Sequence, residues 1–250
     1  MSLRLPAGKK PGAALRAVLL LLARQARRDL ERLADAPEAH IHSLRTGMKK
    51  YRSLLRLARG DAKRKLRAAL MERVRVLKDG MAGSRDDAVI FKTVRRVLGE
   101  EAAERLGLKC PHAEGKTRAP KALLLAAFEL GVLTDSLDLD AMNTAKLTRR
   151  WEDTIRRRDK ARRSAKSSGD AHDFHMWRKR VKDLWYQSDA LSSRLKKTAA
   201  AVKPAKKLSD ELGLEHDLTL VLESVKNLTD ADRAALDAKR GQLRDVALGE

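Results

Sequence analysis

The 250-residue chain has one cysteine, Cys110, only 3% aromatic residues, and isoleucine at just three positions, 41, 90 and 155. Each scarcity excludes something. A lone cysteine cannot close an internal disulfide, which rules out a cystine-stapled scaffold and points to a reducing compartment. Strand-rich domains draw on aromatic and β-branched residues, so a mostly-β fold has too little to build with. No stretch approaches the ~18 consecutive apolar residues that a membrane-spanning helix requires, and no membrane partner is expected. The apolar run Ala17–Ala23 follows Arg4, Lys9 and Lys10 in loose imitation of a secretory signal. It is short, lacks a small-residue cleavage motif and continues into Arg24, Arg27 and Arg28. It reads as the start of an amphipathic helix in a cytoplasmic protein.

Acids are scarce as well. Against 55 Lys and Arg stand 34 Asp and Glu, a formal charge of +21. Charged residues reach 36%, above the usual ~25%, while 43% apolar residues suffice for a core and argue against disorder. What remains is a Leu, Ala, Arg and Lys-rich, all-α chain of one or two domains. Its charge attracts polyanions at long range. Nucleic acid, anionic membrane surfaces, acidic protein and phosphate polymers all carry the complementary charge, and composition alone does not choose among them.

Punctuation divides the chain. Pro11-Gly12 opens a helix over about 13–34, Asp35-Ala36-Pro37 ends it, and a second helix covers about 38–59. Gly60-Asp61 supplies a stop and a cap for a third at about 62–79. After a turn at 79–84, a fourth helix runs to about 105. Residues 107–119 carry Pro, Gly and no apolar periodicity; they are expected to link an N-terminal bundle, 1–106, to a C-terminal bundle, 120–250. In the second half, helices are expected at about 120–132, 138–166, 171–191 and 193–212, the last kinked or split at Pro204. Another starts near His216, and Thr229 caps a final one.

Two short patterns recur. His42-x2-Arg45-x3-Lys49 returns as His175-x2-Arg178-x3-Lys182, an offset of 133 residues. Gly83-Ser84-Arg85-Asp86 has a loose counterpart in Gly213-Leu214-Glu215-His216-Asp217, its aspartates offset by 131. Shared order at nearly one offset suggests two pseudo-symmetric four-helix bundles from a duplicated unit.

On a helical wheel, His42, Arg45, Lys49, Arg52 and Arg56 fall within a sector of about 80°, beside an apolar sector containing Leu44, Met48, Tyr51 and Leu55. Positions 42–59 hold six Lys or Arg and no acid. A face kept only for solubility mixes signs into i,i+4 pairs; like charges along one helix repel, and an anion relieves them. The second stripe, His175, Arg178 and Lys182, is shorter, with Trp185 where Arg52 sits and Asp189 where Arg56 sits. Arg149, Arg156, Lys160 and Arg163 form another narrow sector, and Arg194, Lys196, Lys197, Lys203, Lys206 and Lys207 form an acid-free segment. Such runs are ordinarily solvated surface, so Arg149, Arg156, Lys160, Arg163, Arg194 and Lys197 rank below the two stripes as phosphate contacts.

At these residues the chain resembles the conserved histidine α-helical domain, CHAD. The resemblance rests on His42-x2-Arg45-x3-Lys49-Lys50-x-Arg52, on Arg85-Asp86-x2-Val89, on His175-x2-Arg178-Lys179-x2-Lys182-x-Leu184-x-Tyr186, and on Leu212-Gly213 leading to Asp217. It implies two four-helix bundles around a basic groove or pore that binds inorganic polyphosphate, often on polyphosphate granules. His42, Arg45, Lys49, Lys50 and Arg52 would line one wall, and His175, Arg178, Lys179 and Lys182 the other. The chain departs from the family pattern at Trp185, where a basic residue is usual, and at Ala88, where an acid is common. The histidines are expected to resist protonation inside a basic cluster until phosphate arrives.

No catalytic constellation stands out. There is no Gly-x4-Gly-Lys-Ser/Thr loop, no zinc-ligand spacing and no Glu-x-Glu strand to hold metal around a triphosphate, so no metal, cofactor or enzymatic activity is expected. His172 and His175, with Asp170 or Asp173 nearby, read as surface residues at a helix start rather than a chelate. Arg85-Asp86-Asp87 and His216-Asp217 read as helix caps. Non-catalytic polyphosphate binding leads; nonspecific nucleic-acid binding through the same stripes is second, and a metal-dependent phosphohydrolase third. Low aromatic content tilts against single-stranded nucleic acid, whose sites commonly stack bases on aromatic rings.

Overall fold

The computed structural model describes residues 3–80, 85–109 and 118–249, with residues 85 and 86 as backbone only. Expectations for the turn at 81–84, for the Arg85 and Asp86 side chains and for 110–117 of the linker lie outside the described residues. Among those described, every regular element is helical: α1 (Pro11–Glu31), α2 (Pro37–Leu55) with a 3-10 turn at Arg56–Ala58, α3 (Arg64–Asp79), α4 (Arg85–Leu98), α5 (Glu100–Arg105), α6 (Lys121–Asp135), α7 (Thr144–Ser168), α8 (Ala171–Leu191), α9 (Lys196–Ser224) and α10 (Asp230–Leu248). The all-α expectation holds.

Local chemistry accounts for most boundaries. Pro11 and Pro37 each occupy the first helical position, where a missing N–H leaves nothing unsatisfied. Thr229 caps α10 through a reciprocal box: its Oγ1 accepts from the Asp232 N–H at 3.1 Å, and the Asp232 carboxylate accepts from the Thr229 N–H at 3.0 Å. Gly99, at φ 94°, divides α4 from α5 where the sequence suggested one helix to about 105.

Three other expectations are corrected. α2 ends at Leu55, ahead of Gly60-Asp61, and that pair does not cap α3, whose N-cap is Lys63. The buried Asp61 carboxylate instead receives Lys146 Nζ of α7 at 2.7 Å, with Arg150 at 3.9 Å. Pro204 neither splits nor ends α9, which continues to Ser224. Both Pro204 and Ala200, whose carbonyl the ring deprives of its partner, are exposed, so water can serve that oxygen. His216-Asp217 lies well inside α9 and caps nothing.

The chain forms two compact units, each assembled from three separate stretches: Met1–Ala82, Ala113–Ile155 and Asp183–Val202 in the first, and Gly83–His112, Arg156–Lys182 and Lys203–Glu250 in the second. The boundaries at 155, 182 and 202 fall inside α7, α8 and α9.

In the first unit α1 packs on α2 and α6, and α3 also packs on α2 and α6, so the four close a ring. Leu15, Leu19 and Leu22 of α1, Leu44, Met48 and Leu54 of α2, Leu70 and Leu77 of α3, and Leu130 of α6 are buried. Tyr51 places its hydroxyl 2.6 Å from Thr134 Oγ1, giving a buried phenol on α2 a partner on α6. The C-terminal half of α8 is held by a polar network. Gln187 Nε2 donates to the Ser53 carbonyl at 2.9 Å, Ser53 Oγ donates to the Asp183 carbonyl, Thr154 Oγ1 donates to Gln187 Oε1, and Trp151 Nε1 donates to Ser188 Oγ.

The second unit has two apolar clusters. Ile90 and Val94 of α4 and Ala102 and Ala103 of α5 pack with Leu218 and Val221 of α9 and Leu236 of α10. Phe174, Trp177 and Val181 of α8 pack with Ala165, Leu212 and Leu248. Arg244 ties the second cluster together. Its guanidinium lies 4.2 Å from the Phe174 ring centroid, donates to the buried Glu215 carboxylate at 2.7 Å, and donates to the Gly169 carbonyl at 2.7 Å.

Removing a buried carboxylate that holds a cation leaves a charge without compensation. Glu215→Ala is therefore expected to destabilise by roughly 3–5 kcal/mol. Arg27→Ala, which breaks only the exposed i,i+4 pair with Glu31, should change stability by less than about 0.5 kcal/mol. Urea denaturation of the two variants checks this; equal losses would contradict it.

Candidate functional site

Within the first unit, α2 buries Leu44, Met48, Tyr51, Leu54 and Leu55 and carries its cations on the flank of that apolar stripe. Arg45, Lys49, Lys50, Arg52 and Arg56 are half-buried, and His42 is exposed. Their aliphatic stems thus lie along the helix surface while their charges stay at its edge. The members differ in engagement. Arg56 ion-pairs with the buried Asp183 carboxylate, and Lys50 Nζ sits 5.9 Å from the centre of the Tyr186 ring. Arg45 and Lys49 already take part in interactions within the chain, so an arriving anion adds to those or replaces them. The Nε of Arg52 is buried and has no hydrogen-bond partner among the described residues, a state it shares with the Nε atoms of Arg150 and Arg194. An unsatisfied buried donor costs roughly 1–3 kcal/mol, which an incoming acceptor recovers.

Within the second unit, α8 turns Phe174, Trp177 and Val181 inward. His175, Arg178 and Lys182 are half-buried, and Lys179 is exposed. His175 stacks on His216 with ring centroids 4.3 Å apart, and its Nδ1 is buried with no hydrogen-bond partner among the described residues. Near the same turn, an open depression is lined by Lys160, Arg163, Ser164, Ser167, Ser168 and Asp173. It joins two lower-ranked cations of α7 to the start of α8, where Ser168 Oγ donates to Asp173 at 2.7 Å. Arg149 and Arg156 are both exposed.

Two lower-ranked cations are bound up in the fold. Arg194 donates to the backbone carbonyls of Pro6, Ala7 and Lys9, which holds the N-terminal segment against the α8–α9 junction. Lys197 reaches Glu152 at 2.6 Å and lies 5.6 Å from the Trp151 ring centre. Sequence reasoning missed Asp183, Gln187 and Arg244. A signal for the first two was present: after Lys182, the stretch Asp183–Leu191 carries no cation, and α8 holds four of the chain's eight aromatic residues. A solvated helix has no use for either feature. For Arg244 there was no such signal, because its partners lie on three other segments. Among the described residues, no group of three or more His, Cys, Asp or Glu side chains is placed to hold a metal ion, and no helix is long and apolar enough to cross a membrane.

A family model described as the CHAD domain matches residues 13–226. The chain belongs to the CHAD family. Comparisons with curated proteins and with solved structures gave no match. The matched stretch carries α1 through α9 of this CHAD chain, including every stripe residue; α10, with Arg244 and the Thr229 cap, lies beyond it.

The electrostatics of the CHAD helix α8 are most visible at His175. Its pKa is pushed down from 6.5 to about 4, first by burial and then by the charges of Lys179, Arg178, His172 and Lys182. At neutral pH the imidazole is uncharged. The unfolded chain takes up this proton near 6.5, whereas the folded chain does so only near 4. Acidification therefore favours unfolding through this residue: its contribution is whole above about 6.5, falls between 6.5 and 4, and changes no further below about 4. NMR titration of the ligand-free protein should find the His175 imidazole neutral at pH 5.5. A midpoint near 6.5 would contradict the placement of this ring.

Proposed function

We propose that this CHAD protein binds inorganic polyphosphate without acting on it chemically, using α2 and the first half of α8 and no cofactor. The observation that carries the reading is Arg52. Its buried Nε has no hydrogen-bond partner among the described residues, and it sits in the last turn of α2, within a stretch 42–59 that has six cations and no acid. Polyphosphate is a flexible chain with about one charge per residue and no bases to stack or read. A receptor for it needs converging cations, with arginine favoured for its forked contact with phosphate oxygens. Arg45, Arg52 and Arg178 supply forks, Lys49, Lys50, Lys179 and Lys182 supply charge, His42 supplies a donor, and His175 supplies one whose protonation by solvent a bound anion would favour. Lys160 and Arg163, beside the serines of the α7–α8 turn, extend the second set; Arg56, Arg194 and Lys197 serve mainly to hold the fold.

The proposal includes the two duplicated bundles and the basic groove that the family resemblance implies. The ring of α1, α2, α3 and α6 supports the first bundle. It also includes a cytoplasmic setting on polyphosphate granules.

Long-chain polyphosphate and single-stranded DNA of matched charge, competed across a salt series, test this reading. Both should weaken with salt, with polyphosphate clearly preferred at equal ionic strength; equal or tighter DNA binding would favour the nucleic-acid reading instead. Arg45→Glu or Lys49→Glu should weaken polyphosphate binding about tenfold or more, roughly 1.4 kcal/mol, and Lys206→Glu far less. Equal losses would mean diffuse attraction. Release of orthophosphate on adding Mg²⁺ or Mn²⁺ would overturn the non-catalytic part.

A further inference from the structure

The first unit carries an apolar face that the binding stripes do not use. On α6, Leu125, Phe128 and Val132 are 57%, 54% and 52% exposed, three of the four large hydrophobic side chains exposed in this way among the described residues. They recur at i, i+3 and i+7, so they form one stripe along the helix. Beside them α1 and α6 enclose a shallow groove containing Phe128, Gly131 and Val132. A Cβ built on Gly131 would meet no atom within 4 Å, so the middle of this face is open to close approach. A contiguous apolar patch of this kind on a protein with 36% charged residues marks an interaction surface.

The charges at its ends indicate what covers it. Arg16 of α1 reaches the carbonyl of Asp135, so the start of α1 lies beside the end of α6 and the two helices run antiparallel. Asp135 therefore marks one end of the groove, and Arg24, eight residues or about 12 Å farther along α1, lies toward the other; both line it. Each is exposed, and neither forms an ion pair among the described residues; Arg27, which also lines the groove, is paired with Glu31. A surface with an apolar centre, an acid at one end and a base at the other complements itself under a two-fold rotation. The rotation places Asp135 of one copy against Arg24 of the other, with the two α6 helices crossing near Gly131.

We infer that this face is the interface of a symmetric homodimer, formed by α6 and the adjoining surface of α1. The inference is independent of polyphosphate binding, and its response to salt has the opposite sign. Two chains of charge +21 repel at long range, so screening favours their association while it weakens attraction to a polyanion.

Sedimentation velocity over a concentration series, without polyphosphate, tests the inference. A monomer–dimer equilibrium is expected, and the dimer fraction should rise as NaCl goes from about 50 to about 500 mM. Phe128→Asp combined with Val132→Asp alters only exposed side chains and should give a monomer with an unchanged melting temperature. Asp135→Arg should weaken the dimer about tenfold, and adding Arg24→Asp should restore it. A chain that stays monomeric at every concentration and salt would overturn the inference. So would a dimer that survives the Phe128 and Val132 substitutions, or a charge swap that restores nothing.

Discussion

The placement of carboxylates governs this structure, because there are so few of them for the cations they must serve. Burying an ionised side chain without a partner costs several kcal/mol, and the chain meets that constraint by pairing across elements. Asp29 holds His40, Asp61 holds Lys146, Asp183 holds Arg56, Glu215 holds Arg244 and Asp232 holds Arg105. In each pair the acid is the more deeply buried member, and each pair ties together segments distant in sequence or on different elements. Carboxylates used in this way inside the fold are not available to neutralise its surface.

That allocation explains why helix α2 and the first half of α8 remain so strongly cationic. Arg56, at the end of the first stripe, belongs to the internal pairing, whereas Arg52 one turn earlier keeps an unsatisfied nitrogen. The pKa of His175 is lowered first by its burial and then by the neighbouring cations. A phosphate chain brought to these faces would supply the negative charge that the protein places elsewhere.

Much of this was legible in the sequence, and the parts that were not share a cause. Pro11, Pro37 and Thr229 announced helix starts because their effect is local, and the acid-free stripe of α2 could be read from spacing alone. Gly60-Asp61 and His216-Asp217 looked like cap signals, yet a short polar side chain serves a local N–H or a distant cation equally well. For Asp61 the distant Lys146 won, and Asp217 fell within a continuous helix. Pro204 does not split its helix, because its cost depends on whether the freed carbonyl faces water, which spacing does not state. Arg244 was invisible for the same reason: it matters through Phe174, Gly169 and Glu215, which only the fold brings together. The division into compact units was also hidden, since the stretches of each are interleaved along the chain.

The central claim is that excess charge is concentrated on particular helix faces rather than spread evenly. Lysine acetylation, mapped residue by residue with and without long-chain polyphosphate at fixed ionic strength, tests it most directly. Lys49, Lys50, Lys179 and Lys182 should be protected strongly, while Lys203, Lys207 and Lys239 should react nearly as fast as in the free protein. Uniform protection of all exposed lysines would contradict the account.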